Sequence, residues 1–440
     1  MAKGKYKRRN RPKKRRPQVA FFKRWFKRRE DARKEEKGRE KPKIFRAPPD
    51  RILLTLIVFL IIFGLIMVFD ASVVFSYAYF GDKYKFIVQQ LIWAGIGSAA
   101  MAFTYFVPYK VYKVLTVPML IVTVGLLGAV ILFAQQISGA QRWLDLGNFI
   151  IQPSELAKLT YIIYIAIWLS KERKFSTWKE YLHVELLPFL LSTGVVTGMV
   201  IAGNDMGTAC IILFISFLMY FLAAKTKLQK QGFLLTLGLG VIALITFVVI
   251  QPYRISRVEV FWDLLKGQIR NPTTTGFQIY QILIAIGSGG WFGTGFTHSL
   301  QKYDLVETTA ATDSIFAIIG EEFGFLICLA LIGLYLAITL RGLRVAEKVK
   351  DRIGSMLAAG VAIWIGTQAF INIAANIGLI PLTGVPLPLV SYGGSALVTL
   401  MAALGILLNV SRNAETESEK NNSKPARKHP LKRKSLFSLA

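Results

Sequence analysis

Residues Thr312–Leu340 read TDSIFAIIGEEFGFLICLALIGLYLAITL. From Ser314 onward this is an apolar run interrupted only by Glu321 and Glu322. It is long enough to cross a bilayer, since about 20 residues rising 1.5 Å each span the ~30 Å hydrocarbon layer. Comparable runs cover Ile52–Phe69 and Phe233–Ile250. With 53 % hydrophobic residues over 440 positions, the composition excludes an ordinary soluble domain. The expected fold class is an all-α polytopic membrane protein. Ten transmembrane helices are expected near 52–69, 86–106, 112–134, 155–170, 186–203, 207–223, 232–251, 314–340, 355–378 and 389–410. A long extracytoplasmic loop, 252–313, separates the seventh from the eighth.

The net charge of +28 invites a nucleic-acid reading. Its distribution argues against one, because the excess sits in a basic arm, 1–50, and a basic tail, 411–440, flanking the membrane domain 51–410. Such tails follow the positive-inside rule and attract anionic lipid, so no nucleic-acid partner is expected. Within the arm, Val19–Arg29 alternates Phe21, Phe22, Trp25 and Phe26 with Lys and Arg, as either an interfacial helix or a plain basic arm would. The first apolar run begins only after the arm, so it reads as a retained helix and not a cleavable signal. Cys210 and Cys328 lie inside apolar segments and read as small buried hydrophobes.

An even number of crossings puts both termini on one side, and the basic tails make that side the cytoplasm. The short loops assigned there carry Lys110 and Lys113, Lys171, Arg173 and Lys174, Lys225, Lys227 and Lys230, and Arg341 to Arg352. Loops assigned outside, among them 70–85, offset their cations with Asp70, Asp82, Asp263 and Asp304. Nearly all the unusual polar and glycine chemistry falls on that outer side. No internal repeat or separate soluble domain is visible.

Each motif there has a plain reading beside a functional one. Glu155 and Lys158, three apart at a helix start, can be a neutralised pair, or Arg142 and Lys158 can donate to the phosphates of an anionic headgroup. Asp205 in Asn204-Asp205-Met206-Gly207-Thr208 suits a turn and a helix cap. The loop 252–313 is too long for a mere connection; it is either an interfacial helix with a linker or a cover over an anionic headgroup. Asp313 can cap the helix that follows it. It also shares a stripe with Ala317, Gly320, Glu321, Gly324 and Cys328, so a groove or close contact is expected beneath it. A cap does not explain Glu321 and Glu322. Pro381–Ser395 reads as a re-entrant turn which, with Gln368, Asn372 and Asn376, lines a polar cavity.

At these residues the chain resembles the SEDS family, proteins of cell shape, division and sporulation that include RodA, FtsW and SpoVE. The resemblance spans about 52–410. It rests on Arg142 to Lys158, Asn204–Thr208, the glycine loop Gly287–Gly295, Thr312–Gly324 and Pro381–Ser395. The segments around Tyr253–Asp263 and Ser299–Lys302 lean toward FtsW. Three departures stand out: four residues, Thr308 to Ala311, intervene between Glu307 and Thr312; Ala311 replaces a usual His; and Ser314, Asn204 and Ala396 replace Phe, Pro and Ser.

The resemblance implies a peptidoglycan glycosyltransferase that polymerises lipid II outside the membrane. It implies a class B penicillin-binding protein as partner, with further divisome or elongasome proteins. Asp313 would be the catalytic general base. Substrate binding would fall to Arg142, Glu155, Lys158, Asp205, Gln281, Lys302, Glu321, Glu322, Ser391 and Tyr392, and a divalent cation, magnesium or manganese, would help to offset the diphosphate charge. Two other classes compete, a lipid II flippase and a non-catalytic scaffold for the penicillin-binding protein. Polar groups clustered on one side favour the enzyme over the flippase.

Overall fold

The computed structural model describes residues 48–133, 142–145, 147, 150–250, 252–268, 274–304 and 309–422, with backbone alone at 244–245, 247–250, 252–254, 304 and 414–422. The arm 1–47, including Val19–Arg29, lies outside the described residues, as do Arg270, Glu307 and 423–440.

Long apolar runs become helices because a helix satisfies every backbone polar group internally, as lipid requires. They are α1 (Arg51–Phe80), α2 (Lys85–Phe106), α3 (Tyr112–Phe133), α4 (Pro153–Ser170), α5 (Trp178–Ala202), α6 (Met206–Ala223) and α7 (Lys227–Ile250). Three shorter helices follow, α8 (Pro252–Leu265), α9 (Phe277–Ser288) and α10 (Gln301–Asp304). The chain then returns through α11 (Ile315–Lys348), α12 (Arg352–Asn376) and α13 (Gly394–Asn422). Among the described residues, eight helices are long and apolar enough to cross a membrane. The other two expected segments form as helices, α4 and α7, but are not among the eight. The sole sheet among the described residues pairs Leu144 with Ile151 and Asp145 with Ile150.

The bundle inverts the usual distribution of polarity. Large apolar side chains such as Phe59, Val114 and Leu132 face outward. Asp70, Glu155, Lys158, Glu321 and Glu322 are buried inside. This is the arrangement of a multi-pass membrane protein, in which ionisable groups face the bundle and not lipid.

Side-chain contacts sort the helix ends into two sets. At one end, Asp50 caps α1 through the Leu53 N–H (3.0 Å) and takes the Arg341 guanidinium at 2.7 Å, while its own N–H donates to Ser411. Glu172 pairs with Arg352 (3.3 Å), and Asn409 accepts from the Tyr109 N–H (3.3 Å). The opposite end gathers the described residues of 81–84, 142–152, 203–205, 252–313 and 377–393. The outer motifs therefore do share one end.

Several boundaries shift. Helix α1 runs to Phe80, closed by left-handed Gly81 (φ 68°), so Asp70 belongs to a buried helical turn and not to the loop 70–85. Helix α13 continues to Asn422, past the expected start of the tail at 411. Of the loop expected at 252–313, the described residues include three helices, Pro252–Leu265, Phe277–Ser288 and Gln301–Asp304.

Helix α12 is the core element: 83 % of its most apolar window is buried, against 22 % for α2. Its stripe Gln368, Asn372 and Asn376, spaced four apart, faces inward and supplies donors to a non-helical segment. Gln368 Nε2 donates to the Pro386 carbonyl (2.9 Å) and Asn372 Nδ2 to that of Val385 (2.7 Å). The Tyr335 hydroxyl donates to the Pro388 carbonyl (2.6 Å). Irregular backbone persists at this depth because protein donors replace the absent water. The segment also presses on α1 at Gly64, where a Cβ would meet the Val390 Cα at 2.7 Å.

Candidate active site

The turn Thr309–Ser314 delivers Asp313 to the start of α11. Ser314 occupies the N-cap without a side-chain cap bond, so the helix-cap reading of Asp313 falls. Its carboxylate is half-buried and held only by neutral donors. Oδ1 accepts from the Thr312 hydroxyl (3.1 Å) and Oδ2 from Gln278 Nε2 (3.3 Å). Among the described residues no cation pairs with it. The Asp313 carbonyl accepts both Asn372 and Asn376 amides at 2.8 Å, so α12 fixes the backbone and leaves the carboxylate with spare acceptor capacity.

The Pro381–Ser395 segment closes the other side. The Ser391 hydroxyl donates to the Thr312 carbonyl and accepts the Leu387 N–H (2.8 Å), and the Tyr392 N–H donates to the Ala311 carbonyl (2.8 Å). The Tyr392 hydroxyl donates to Gln89 (2.8 Å) and its ring meets Phe86 edge-on. Burial pushes the phenol up to about 12, so it remains a neutral donor. Ser391 and Tyr392 thus tie the turn in place.

Two cavities flank the turn. One of about 290 Å³ lies between α8, α9 and residues 380–382, lined by Arg257, Phe261, Gln278 and Pro381 among others. Arg257 there donates to the Leu382 carbonyl at 2.7 Å. The second, about 150 Å³, is walled by Phe75, Phe86, Lys302, Tyr303, Ala311 and Tyr392. Gln278 joins Asp313 to the larger one; its neighbour Gln281, expected at the site, makes no hydrogen bond among the described residues.

Of the groove or close contact expected beneath Asp313, the structure holds the close contact. Helix α11 breaks at Gly324 (φ 75°, ψ −176°), a conformation open essentially to glycine alone. The glycine loop threads the break: Thr294 and Gly295 N–H groups take the Glu321 and Glu322 carbonyls (2.9 and 3.0 Å), and the Phe325 N–H donates to Gly290 (2.9 Å). A Cβ on Gly324 would collide with the Phe292 backbone at 2.6 Å.

Glu321 and Glu322 serve this junction. Glu321 accepts the Ser299 hydroxyl (2.5 Å) and the Leu300 N–H (2.9 Å). Lys302 Nζ donates to Glu322 (3.1 Å), Asp70 (2.9 Å) and the Thr297 carbonyl (2.9 Å). Burial alone pulls the Lys302 ammonium down, but the bonds and charges of Asp70 and Glu322 outweigh it and hold it above the ordinary lysine value.

The remaining expected residues form two adjoining clusters. Asp205 caps α6 through the Thr208 N–H (3.3 Å) and accepts Ser154 (2.6 Å), Gln152 (2.7 Å) and, at 3.9 Å, partly exposed Arg142. Lys158 pairs with Glu155 (2.9 Å) and donates to Gln368 (3.0 Å), fully buried beneath the Pro381–Ser395 segment. The neutralised-pair reading describes this contact, and Arg142 is the more accessible cation of the two clusters. Sequence reasoning passed over Gln278, one helical turn from Gln281 in the same motif, and assigned Asp70 to a loop. Among the described residues no group of three or more His, Cys, Asp or Glu is placed to hold a metal ion.

Comparison with known proteins agrees with this organisation. A family model described as cell cycle protein, for FtsW, RodA and SpoVE, matches residues 50–416. The chain is 38 % identical over 369 residues to a probable peptidoglycan glycosyltransferase FtsW of a Geobacter species, covering 82 % of this chain and 96 % of that protein. It is 35 % identical over 372 residues to stage V sporulation protein E of Bacillus subtilis, covering 83 % and 98 %. A structure described as structural coordination of polymerization and crosslinking by a peptidoglycan synthase complex aligns with TM-score 0.66 at 26 % identity, over 83 % of this chain and 98 % of that one. The crystal structure of Thermus thermophilus rod shape determining protein RodA shares the fold at TM-score 0.60 and 24 % identity, covering 83 % and 97 %. The chain belongs to the FtsW, RodA and SpoVE family of cell cycle proteins.

Proposed function

We propose that this protein is a peptidoglycan glycosyltransferase that polymerises lipid II at the outer face of the bacterial inner membrane, with Asp313 as general base. The observation that carries the reading is Asp313 itself. It is a carboxylate with no cationic partner among the described residues, wedged between two cavities at the bundle end where the motifs converge. In the reaction, an acceptor sugar hydroxyl attacks the donor's anomeric carbon. The new carbon–oxygen bond forms as the bond to the diphosphate breaks, and the hydroxyl proton passes to the Asp313 carboxylate. The diphosphate leaves on its lipid and Asp313 later releases the proton to water.

The cavity at Gln278 combines Phe261 and Phe277 with Arg257 and threonine hydroxyls, a lining that suits a sugar with apolar and polar faces. Arg142 is the cation offered to the diphosphate, while Lys158 and Lys302 hold the walls. A magnesium or manganese ion, when bound, would supply counter-charge to the diphosphate. The reading includes ten crossings with both termini in the cytoplasm, a class B penicillin-binding protein and other divisome or elongasome proteins as partners, and anionic lipid beneath the basic tails.

The test is reconstitution with the penicillin-binding protein and lipid II in liposomes, reading glycan chains on a gel. Wild type is expected to make polymer and Asp313→Ala none, with both variants inserted and partner-bound. Polymer from Asp313→Ala would end the general-base assignment. Translocation without polymer from wild type would make the protein a flippase, and partner binding alone a scaffold.

A further inference from the structure

We propose that Gln278 is a positioning residue for Asp313, an inference that rests on Asp313 acting as the base. The carboxylate has two side-chain contacts. One comes from Thr312, adjacent in the chain, so it travels with the turn and cannot fix the turn's placement. The other is Gln278 on α9, the only contact among the described residues that ties the carboxylate to another element of the bundle. Its amide nitrogen donates to Asp313 Oδ2 and Ser314 Oγ, both at 3.3 Å, so both hydrogens bridge the acid to the helix start. The opposite flip would set the amide oxygen against a carboxylate, which fixes the orientation.

The platform beneath Gln278 is rigid. Helix α9 buries Ile279, Ile282 and Ala285, and at its far end Gly289 packs against the Gly320 carbonyl of α11. Gln278 therefore reports the α9 position to the carboxylate. Gln278 also lines the 290 Å³ cavity, so the bond ties Asp313 to the wall of the space where a sugar hydroxyl would arrive. A base left free to rotate spends less time in line with that hydroxyl, and a misplacement of about 1 Å costs on the order of 100-fold in rate.

The experiment measures steady-state polymerisation by the full chain with its partner in liposomes, using lipid II. Gln278→Met keeps the length of the side chain and removes the donor; kcat is expected to fall about 10- to 100-fold with KM within about twofold. Gln278→His, assayed at about pH 8 where a free imidazole is neutral, restores an N–H donor at the reach of the amide without adding a lysine charge, and is expected to recover part of the loss. Equal impairment of the two variants would mean that Gln278 only packs, and the proposal would be wrong. So would a wild-type kcat in Gln278→Met, or a raised KM at unchanged kcat. Asp313→Asn in the same assay separates the layers: if it still polymerises, the base assignment fails; if it is dead while Gln278→Met is normal, only the positioning role fails.

Discussion

Helix α11 and the turn before it carry two acidic sites only eight residues apart, and they are built in opposite ways. Glu321 and Glu322 are fully buried and matched by Lys302, Ser299 and loop N–H groups. Asp313 is half-buried and held by one hydroxyl and one amide. The first site spends its charge within the protein, fastening α1, the glycine loop and α11. The second keeps acceptor capacity for something that arrives. A membrane protein tolerates an acid at depth in either arrangement, so the partners, and not the residue type, separate a structural carboxylate from a reactive one.

The contrast can be broken most sharply at Asp313. Asp313→Ala should lower polymerisation by at least about 100-fold, the lower bound for losing a general base. It should cost no more than about 1–2 kcal/mol in stability, since only two neutral hydrogen bonds are lost. Lys302→Met should do the reverse. It leaves Asp70 and Glu322 buried without their cation, a loss of about 3–5 kcal/mol seen as a lower melting temperature in detergent. Adding Glu322→Gln should recover part of it. The sign with pH is fixed: the folded lysine value is raised, so its stabilisation is intact below the unfolded value of 10.5 and is lost only as pH climbs through the higher folded value. The melting temperature of wild type should therefore show no Lys302-dependent fall between neutral pH and about 10.

Gly324→Ala sharpens the comparison from the backbone side. The strained conformation alone costs about 1–3 kcal/mol, and the collision with Phe292 adds to it. Thermal unfolding and retained partner binding would read this out; an unchanged melting temperature would mean that the glycine loop does not thread the break. Asn372→Ala should cost about 1–3 kcal/mol by orphaning the buried carbonyl of Val385 and removing one of the two amide donors to that of Asp313, and should also lower kcat. The smallest effect belongs to the opposite end of the bundle. Glu172 and Lys225 are largely exposed, so Lys225→Ala should shift stability by no more than about 0.5 kcal/mol.

Much of this was legible beforehand. Apolar run length located the helices, and charge asymmetry gathered the motifs at one end. The spacing of Gln368, Asn372 and Asn376 announced a polar stripe before its partners were known. Asp70 was misplaced because the first apolar run, Ile52–Phe69, is followed directly by this acid; its compensating cation, Lys302, lies 232 residues away. The stripe below Asp313 reads as a groove or a close contact because small residues admit either a ligand or a backbone, and the glycine loop supplies the backbone. Gln281 was expected at the site and Gln278 passed over; the two lie one turn apart on α9, and only the seating of that helix selects between them.

By itself the sequence determined that this chain is a helical membrane protein, which end bears its chemistry, and that Asp313 is the acid to examine. Those features follow from local periodicity, run length and charge, which act over a few turns. Which carboxylates are neutralised, which glutamine meets Asp313 and what fills the helix break were decided by the tertiary structure alone. Each depends on the partner that distant segments bring within about 3 Å, where the strength of a hydrogen bond or ion pair is set.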